Sequence, residues 1–263
     1  MTCAGSLARE TSLSNTETLS ARSPMLPVAE GYSRWAPTYD SVSNPLLACE
    51  ERHLLPLLND VSHRRVLDLA CGTGRWLTKL VAQNPSGVGI DCSRAMLQVA
   101  RGKQAIAHRL VGGVCEVLPF RAASFDLVIC SFALGHVRDL NAAVEELARV
   151  TRPGADLFVS DLHPEAYARG WRVGFRDENM SVTIEMVPRT AEKLAQAFAE
   201  NQFQCELHRS LWLGDPEQPL FARAGKSELF IEACKVPAVF FCHFRRSDLV
   251  PDRESSANAA GFA

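Results

Sequence analysis

The sequence predicts one α/β domain built on a doubly wound, mostly parallel sheet. Short apolar strands alternate with amphipathic helices, the first strand is apolar on both faces, and a turn of small residues follows it directly. Alternation of this kind marks a parallel sheet covered by helices on both sides. The first strand lies in 64–69, where Val66-Leu67-Asp68-Leu69 lacks the in/out pattern of a half-exposed strand. Ala70-Cys71-Gly72-Thr73-Gly74 leaves no bulk over its end, and Trp76, Leu77, Leu80 and Val81 fall on one face of a helix over 75–83. Strand, small-residue turn and helix start make the ligand crevice of an open α/β sheet.

The other elements follow in order. Strands are expected at 86–91, 108–112, 125–131 and 155–161, with helices at 93–102 and 139–150. The last helix presents Leu140, Val144, Leu147 and Val150 as one stripe and is stopped by Arg152-Pro153-Gly154. A helix at 190–201 leads to an alternating strand at 205–213, and Val236 to Phe244 supplies a final apolar strand. Residues 162–189, with strand-like runs at 171–176 and 181–187, form an insertion too long for an ordinary connection. Residues 1–27 and 250–263 are expected to be disordered tails, rich in Ser, Thr, Ala and charge, which leaves a domain over 28–249.

At 263 residues and 47% hydrophobic composition, a single domain is the natural reading. A net charge of −2 gives no electrostatic footprint for nucleic acid. No apolar run is long enough for a membrane span, and no signal peptide is recognisable. The nine cysteines are scattered singly without a CxxC pair, so they read as reduced, small hydrophobes in a cytoplasmic protein, and no metal site is expected.

A dinucleotide fingerprint would need a third glycine at position 77, where Leu77 stands. That speaks against an NAD-linked dehydrogenase. Asp68 would repel a pyrophosphate and suits a cationic ligand. A second acid, Asp91, closes the next strand and is well placed for a ribose diol. A ligand bearing an ammonium, a sulfonium and a ribose would use both.

VLDLACGTGRW, GVGIDCSRAMLQVA and VLPFRAASFDLVICSFALGHV resemble the successive motifs of class I S-adenosylmethionine-dependent methyltransferases. The pattern is most similar to the small-molecule branch that includes the ubiquinone and menaquinone biosynthesis methyltransferases, and it runs from Tyr32 to Val159. GYSRWAPTYD resembles that family's N-terminal lid, which would place Tyr32, Trp35 and Tyr39 over the cofactor. The resemblance implies a Rossmann-like seven-stranded sheet with the last strand antiparallel, a helical lid and S-adenosyl-L-methionine as cofactor. It implies cofactor contacts from Tyr39, Asp68, Ala70, Cys71, Gly72, Gly74, Asp91, Cys92, Cys115, Glu116 and Ser131. Two positions depart from the pattern: Ala70 replaces the usual first glycine, and Val114 stands where an Asp normally holds the adenine amino group. Adenine recognition then falls to backbone groups and Glu116.

Two of the seven histidines, His136 and His163, follow strand ends bordering the crevice and are the expected catalytic residues. His53, His63, His108, His208 and His243 carry no such signal. Within the insertion, Trp171, Phe175, Met180, Ile184 and Met186 could line an acceptor pocket with Arg172 and Arg176 at its rim; a hairpin that only covers the sheet edge is the alternative. The expected function is methyl transfer to a small, apolar or aromatic acceptor, with O-, N- or C-methylation open, by a monomer or homodimer. The rival is a non-catalytic S-adenosylmethionine-binding regulatory or scaffold protein. Ser131-Phe132-Ala133-Leu134 stands where an Asn/Asp-Pro-Pro-Tyr run would mark methylation of adenine or glutamine nitrogen.

Overall fold

The computed structural model describes residues 24–58, 60–178 and 180–248. Its strands are β1 (Met25–Leu26), β2 (Val66–Leu69), β3 (Val88–Asp91), β4 (Leu110–Gly112), β5 (Phe125–Ser131), β6 (Thr151–Leu162), β7 (Gly174–Asp177), β8 (Met180–Ile184), β9 (Phe203–Trp212) and β10 (Pro237–Arg246). Seven of them form one sheet in the order β4-β3-β2-β5-β6-β10-β9. β2 pairs in parallel with β3 and β5, as do β3 with β4 and β5 with β6. β10, the last strand in the chain, runs antiparallel to both of its neighbours. Strand order reverses at β2, so the crevice beyond the ends of β2 and β5 is the topological switch point where open α/β sheets bind ligands.

The helices are α1 (Val28–Trp35), which runs into a 3₁₀ turn over Ala36–Ser41, then α2 (Pro45–Leu54), α3 (Arg75–Leu80), α4 (Arg94–Arg101), α5 (Leu140–Val150), α6 (Pro164–Ala168) and α7 (Ala191–Glu200). Local chemistry starts several of them: side chains of Asn44, Ser93, Asp139 and Thr190 each accept a backbone N–H of the first turn. On one face of the sheet Val144, Leu147, Val150, Leu194 and Phe198 pack against Val128, Cys130 and Phe244. On the other, Cys49, Leu54, Trp76 and Leu80 pack against Leu127, Ile129 and Phe241. Both faces of β2 are therefore dry, as its unbroken apolar run predicts.

Three expectations are corrected. β6 begins at Thr151, not 155, because Arg152-Pro153-Gly154 is taken up as a bulge: pairing skips from Phe125↔Thr151 to Leu127↔Asp156, with Gly154 at φ +73°. The expected tail reaches too far, since Met25 and Leu26 pair in parallel with Thr183 and Ile184; residues 1–23 and 249–263 lie outside the described residues. The insertion forms the β7–β8 hairpin, to which β1 adds, and it braces α1 instead of lining a pocket. The Phe175 ring stacks on Trp35 at 5.4 Å, Ile184 fills the space beside Gly31, and Asp177 pairs with Arg34. Helix α2 and the helical turns between Asp215 and Ala233 carried no recognised sequence signal.

Gly74 enters α3 at φ +79°, and a Cβ there would overlap Ile106 Cδ1. Left-handed strain and overpacking together should cost Gly74→Ala about 2–4 kcal/mol of unfolding free energy. Urea denaturation of variant and wild type measures it, and an unchanged midpoint would refute this tight fit.

Candidate active site

The carboxyl ends of β2, β3 and β5 open into a cavity of about 330 Å³, roofed by α1 and the following 3₁₀ turn. That is within the roughly 300–1,000 Å³ of small-molecule sites. The turn after β2 is built from left-handed residues, Ala70 at φ +55°, Gly72 at +55° and Gly74 at +79°. It is tied to β3 by the Cys71 N–H, which donates to Ile90 O at 2.9 Å. Asp91 clamps the same turn: its Oδ2 accepts from Gly72 N and its Oδ1 from Ser93 N, both at 2.7 Å. Burial pushes the Asp91 carboxyl up, and those two donors oppose the rise. Where a Cβ would stand on Gly72 there is open space, so ligand can approach the backbone here.

Asp68 is 2% exposed. Burial pushes its carboxyl up to about 7 against the opposing charge of Arg75. Its Oδ2 has no hydrogen-bond partner. Arg75, the first residue of α3, pairs through Nη2 with the fully buried Glu50 of α2 and donates to Ser131 Oγ at 2.9 Å. Its Nη1 makes no hydrogen bond, with Glu51 Oε2 at 3.9 Å. Asp68 and Arg75 both line the cavity, so its floor holds an acid oxygen and a guanidinium N–H that make no hydrogen bond, the latter with Glu51 as its ion partner. That is the complement of an amino acid's ammonium and carboxylate.

The roof is latched to the floor. Asp40 accepts from Thr73 Oγ1 at 2.7 Å and pairs with Lys103 Nζ at 2.7 Å, and Lys103 also donates to Thr73 O. Tyr39 lines the cavity beside this latch, and burial pushes its phenol up to about 12. On the far wall Phe132, at φ +52°, and His136 face Tyr32 of α1. Tyr32 Oη and His136 Nε2 are 2.9 Å apart, and His136 Nδ1 is 2.7 Å from Glu185 O.

Residues 67–159 match a family model described as a methyltransferase domain. That stretch of the chain is similar to methyltransferase domains. It is 38% identical over 134 residues to the demethylmenaquinone methyltransferase of Lactiplantibacillus plantarum, covering 46% of this chain and 56% of that protein. It is 30% identical over 189 residues to the biotin biosynthesis bifunctional protein BioHC of Cellvibrio japonicus, covering 72% of this chain and 37% of that protein. The chain thus spans about half or less of the curated relatives it matches. A solved S-adenosylmethionine-dependent methyltransferase from Mesorhizobium loti shares the fold, with a TM-score of 0.60 over 75% of this chain and 98% of that one, at 21% identity.

Of the residues singled out in the sequence, Tyr39, Asp68, Ala70, Cys71, Gly72, Asp91, Cys92, Cys115, Glu116, Ser131 and His136 all line the one cavity. Gly74 does not; it points at Ile106, and its role is to let the turn enter α3. His163 is likewise elsewhere. Its Nδ1 caps α6 by accepting from Glu165 N, and its Nε2 lies 3.1 Å from Ser210 Oγ, so its position after β6 serves a helix start. The insertion's apolar side chains are absent from the cavity wall, which α1 screens from them. Val114, the departure from the usual Asp, does stand on the wall. Sequence reasoning missed Glu50, Arg75, Thr73 and Lys103. Only Thr73, inside the glycine turn, and Arg75, adjoining it, had a signal that could have marked them. Among the described residues no helix is long and apolar enough to cross a membrane and no cluster could hold a metal ion.

Asp68 makes stability depend on pH. Its carboxyl titrates at about 7 in the folded protein, well above the ordinary value of 3.8. Between about pH 4 and 7 the folded state holds a proton that the unfolded chain has lost, so this group's contribution to stability falls as pH rises through that window. Asp68→Asn lacks that proton. Denaturant midpoints of the ligand-free proteins should therefore shift in the variant's favour from about pH 4 to 7 and level off above about pH 8. A constant difference across the range would show that Asp68 titrates normally.

Proposed function

We propose that this chain transfers a methyl group from S-adenosyl-L-methionine to a small, apolar or aromatic acceptor, as a cytoplasmic monomer or homodimer. The observation that carries the reading is the floor of the cavity. Asp68 Oδ2 and Arg75 Nη1, neither of them hydrogen-bonded, with Asp91 across an open glycine turn, fit a zwitterionic amino acid joined to a ribose. The cofactor supplies, when bound, an electrophilic methyl group on a sulfonium. Asp68, the turn backbone and Arg75 hold the amino-acid end, and Asp91 accepts from the ribose with the lone pairs that Gly72 and Ser93 leave free. Cys92, Cys115 and Glu116 flank the base. The acceptor side is the far wall, where Val28, Phe132, Ala133 and Val137 make an apolar surface around Tyr32 and His136.

Methylation of this kind needs alignment and exclusion of water more than covalent help. The roof provides both: α1 and the 3₁₀ turn shut the cavity, and the Asp40–Thr73–Lys103 latch holds them down. A cavity of about 330 Å³ suits one cofactor-sized ligand, so the acceptor is small or enters as the roof lifts.

Asp91→Ala should weaken S-adenosylhomocysteine binding by roughly 1.5–3 kcal/mol in calorimetry. Unchanged affinity in a folded variant would remove Asp91 from the site. Hydrogen exchange over residues 28–41 should slow on adding S-adenosylhomocysteine, and equal exchange would argue against a lid. Incubation with small-molecule extract and cofactor should yield S-adenosylhomocysteine; binding without turnover would favour the non-catalytic rival.

A further inference from the structure

Resting on the methyl-transfer reading, we propose that Tyr32 and His136 form a proton relay for an acceptor hydroxyl, which makes the substrate an alcohol or phenol and the product a methyl ether. The hydrogen bonds fix the direction of the relay. Glu185 O is a carbonyl and can only accept, so His136 Nδ1 carries the proton in that 2.7 Å contact. The neutral ring's Nε2 then has a lone pair, and Tyr32 donates its O–H to it across 2.9 Å. The Tyr32 oxygen has spent its only proton, and at the wall of the cavity it can only accept. A group that donates from an apolar body, a hydroxyl, is what this wall recognises.

The electrostatics suit a proton arriving on His136. Asp161, 1% exposed, lies directly behind it and accepts from Gly135 N and Leu162 N, each at 2.8 Å. Burial pushes the Asp161 carboxyl up, and the charge of His136 acts against that rise. Burial also pushes the Tyr32 phenol up, with Tyr39, Asp161, Asp91 and Cys92 adding to the rise, so Tyr32 passes a proton on without resting as phenolate. Arg138, two residues beyond His136, also lines the cavity.

The step balances. The acceptor oxygen keeps the O–H electron pair and bonds the methyl carbon with it, and the carbon's former pair stays on the departing thioether sulfur. The acceptor's proton goes to the Tyr32 oxygen as Tyr32's own proton goes to Nε2. The imidazolium then returns its proton to solvent. An amine acceptor that is already neutral would need no proton removed before attack, and the relay would stand idle.

The test has a readout that needs no turnover. Nitrogen NMR of histidine-labelled protein at about pH 8 should find His136 protonated on Nδ1 and bare on Nε2, with the Nε2 shift altered in Tyr32→Phe. The opposite tautomer overturns the relay. With protein saturated by S-adenosylhomocysteine, a panel of phenols and alcohols is titrated beside their methyl ethers and matched amines, 1-naphthol, 1-methoxynaphthalene and 1-naphthylamine among them. The hydroxyl compounds should bind roughly tenfold tighter than the ethers, and Tyr32→Phe should erase the preference. Equal binding, or no hydroxyl compound bound, overturns the proposal. In turnover, Tyr32→Phe and His136→Asn should each lose roughly 10²–10⁴-fold on a hydroxyl acceptor with cofactor affinity intact. If amines are methylated and both variants keep full rate, the relay falls while the methyltransferase reading stands. If the wild type fails to bind S-adenosylhomocysteine at all, the underlying reading falls.

Discussion

Glu50 has no exposure to solvent, and the guanidinium of Arg75 is packed against it as its ion partner. Ser160 donates to the other carboxylate oxygen, and Arg75 reaches on to Ser131, so one ion pair joins α2, α3, β5 and β6 at the ligand end of the sheet. Burying two charges is expensive, and such a pair adds little net stability; its worth lies in the several kcal/mol, about 3–5, lost when either partner is left alone. The arrangement of the cavity floor depends on it. Arg75 held by Glu50 lines the same cavity as Asp68, and the charge of that fixed cation opposes the rise that burial gives the Asp68 carboxyl.

A floor with unpaired polar atoms is a cost to the folded chain that a ligand can repay. Asp68 sits between Gly89 and Ile129 in the middle of a sheet dry on both faces, where an apolar residue would be the stable choice. Ala70 and Phe132 hold left-handed backbone at the rim of the same cavity. Strain and desolvation thus collect at the topological switch point, and the packed faces on either side carry the load.

The roof follows a similar division. α1 contributes Tyr32 inward and Trp35 outward, and the β7–β8 hairpin with β1 stacks on the outward ring. The insertion influences the site by setting where α1 lies and by holding His136 through the Glu185 carbonyl, while its apolar side chains stay off the cavity wall. Its sequence of alternating apolar residues is that of a brace.

The order of elements, the identity of the first strand and the residues of the glycine turn were legible in the sequence, because each rests on local periodicity: the double-sided apolar run at Val66–Leu69, the small residues at 70–74, the stripes of α3 and α5. Asp91 and the other residues at strand ends were legible too, since a parallel sheet gathers its carboxyl ends on one side. His136 and His163 show where that reasoning stops. Both follow a strand end, yet one meets Tyr32, 104 residues away in the chain, across the cavity, while the other caps α6 and turns its second nitrogen to Ser210, 47 residues away. Glu50 sits among ordinary polar helix residues and becomes a buried anchor only when α2 packs over β5 and β6. Local patterns are written by which face a residue must bury, and sequence alone determines them. Which charged group meets which depends on contacts between distant segments, and only the tertiary structure decided those.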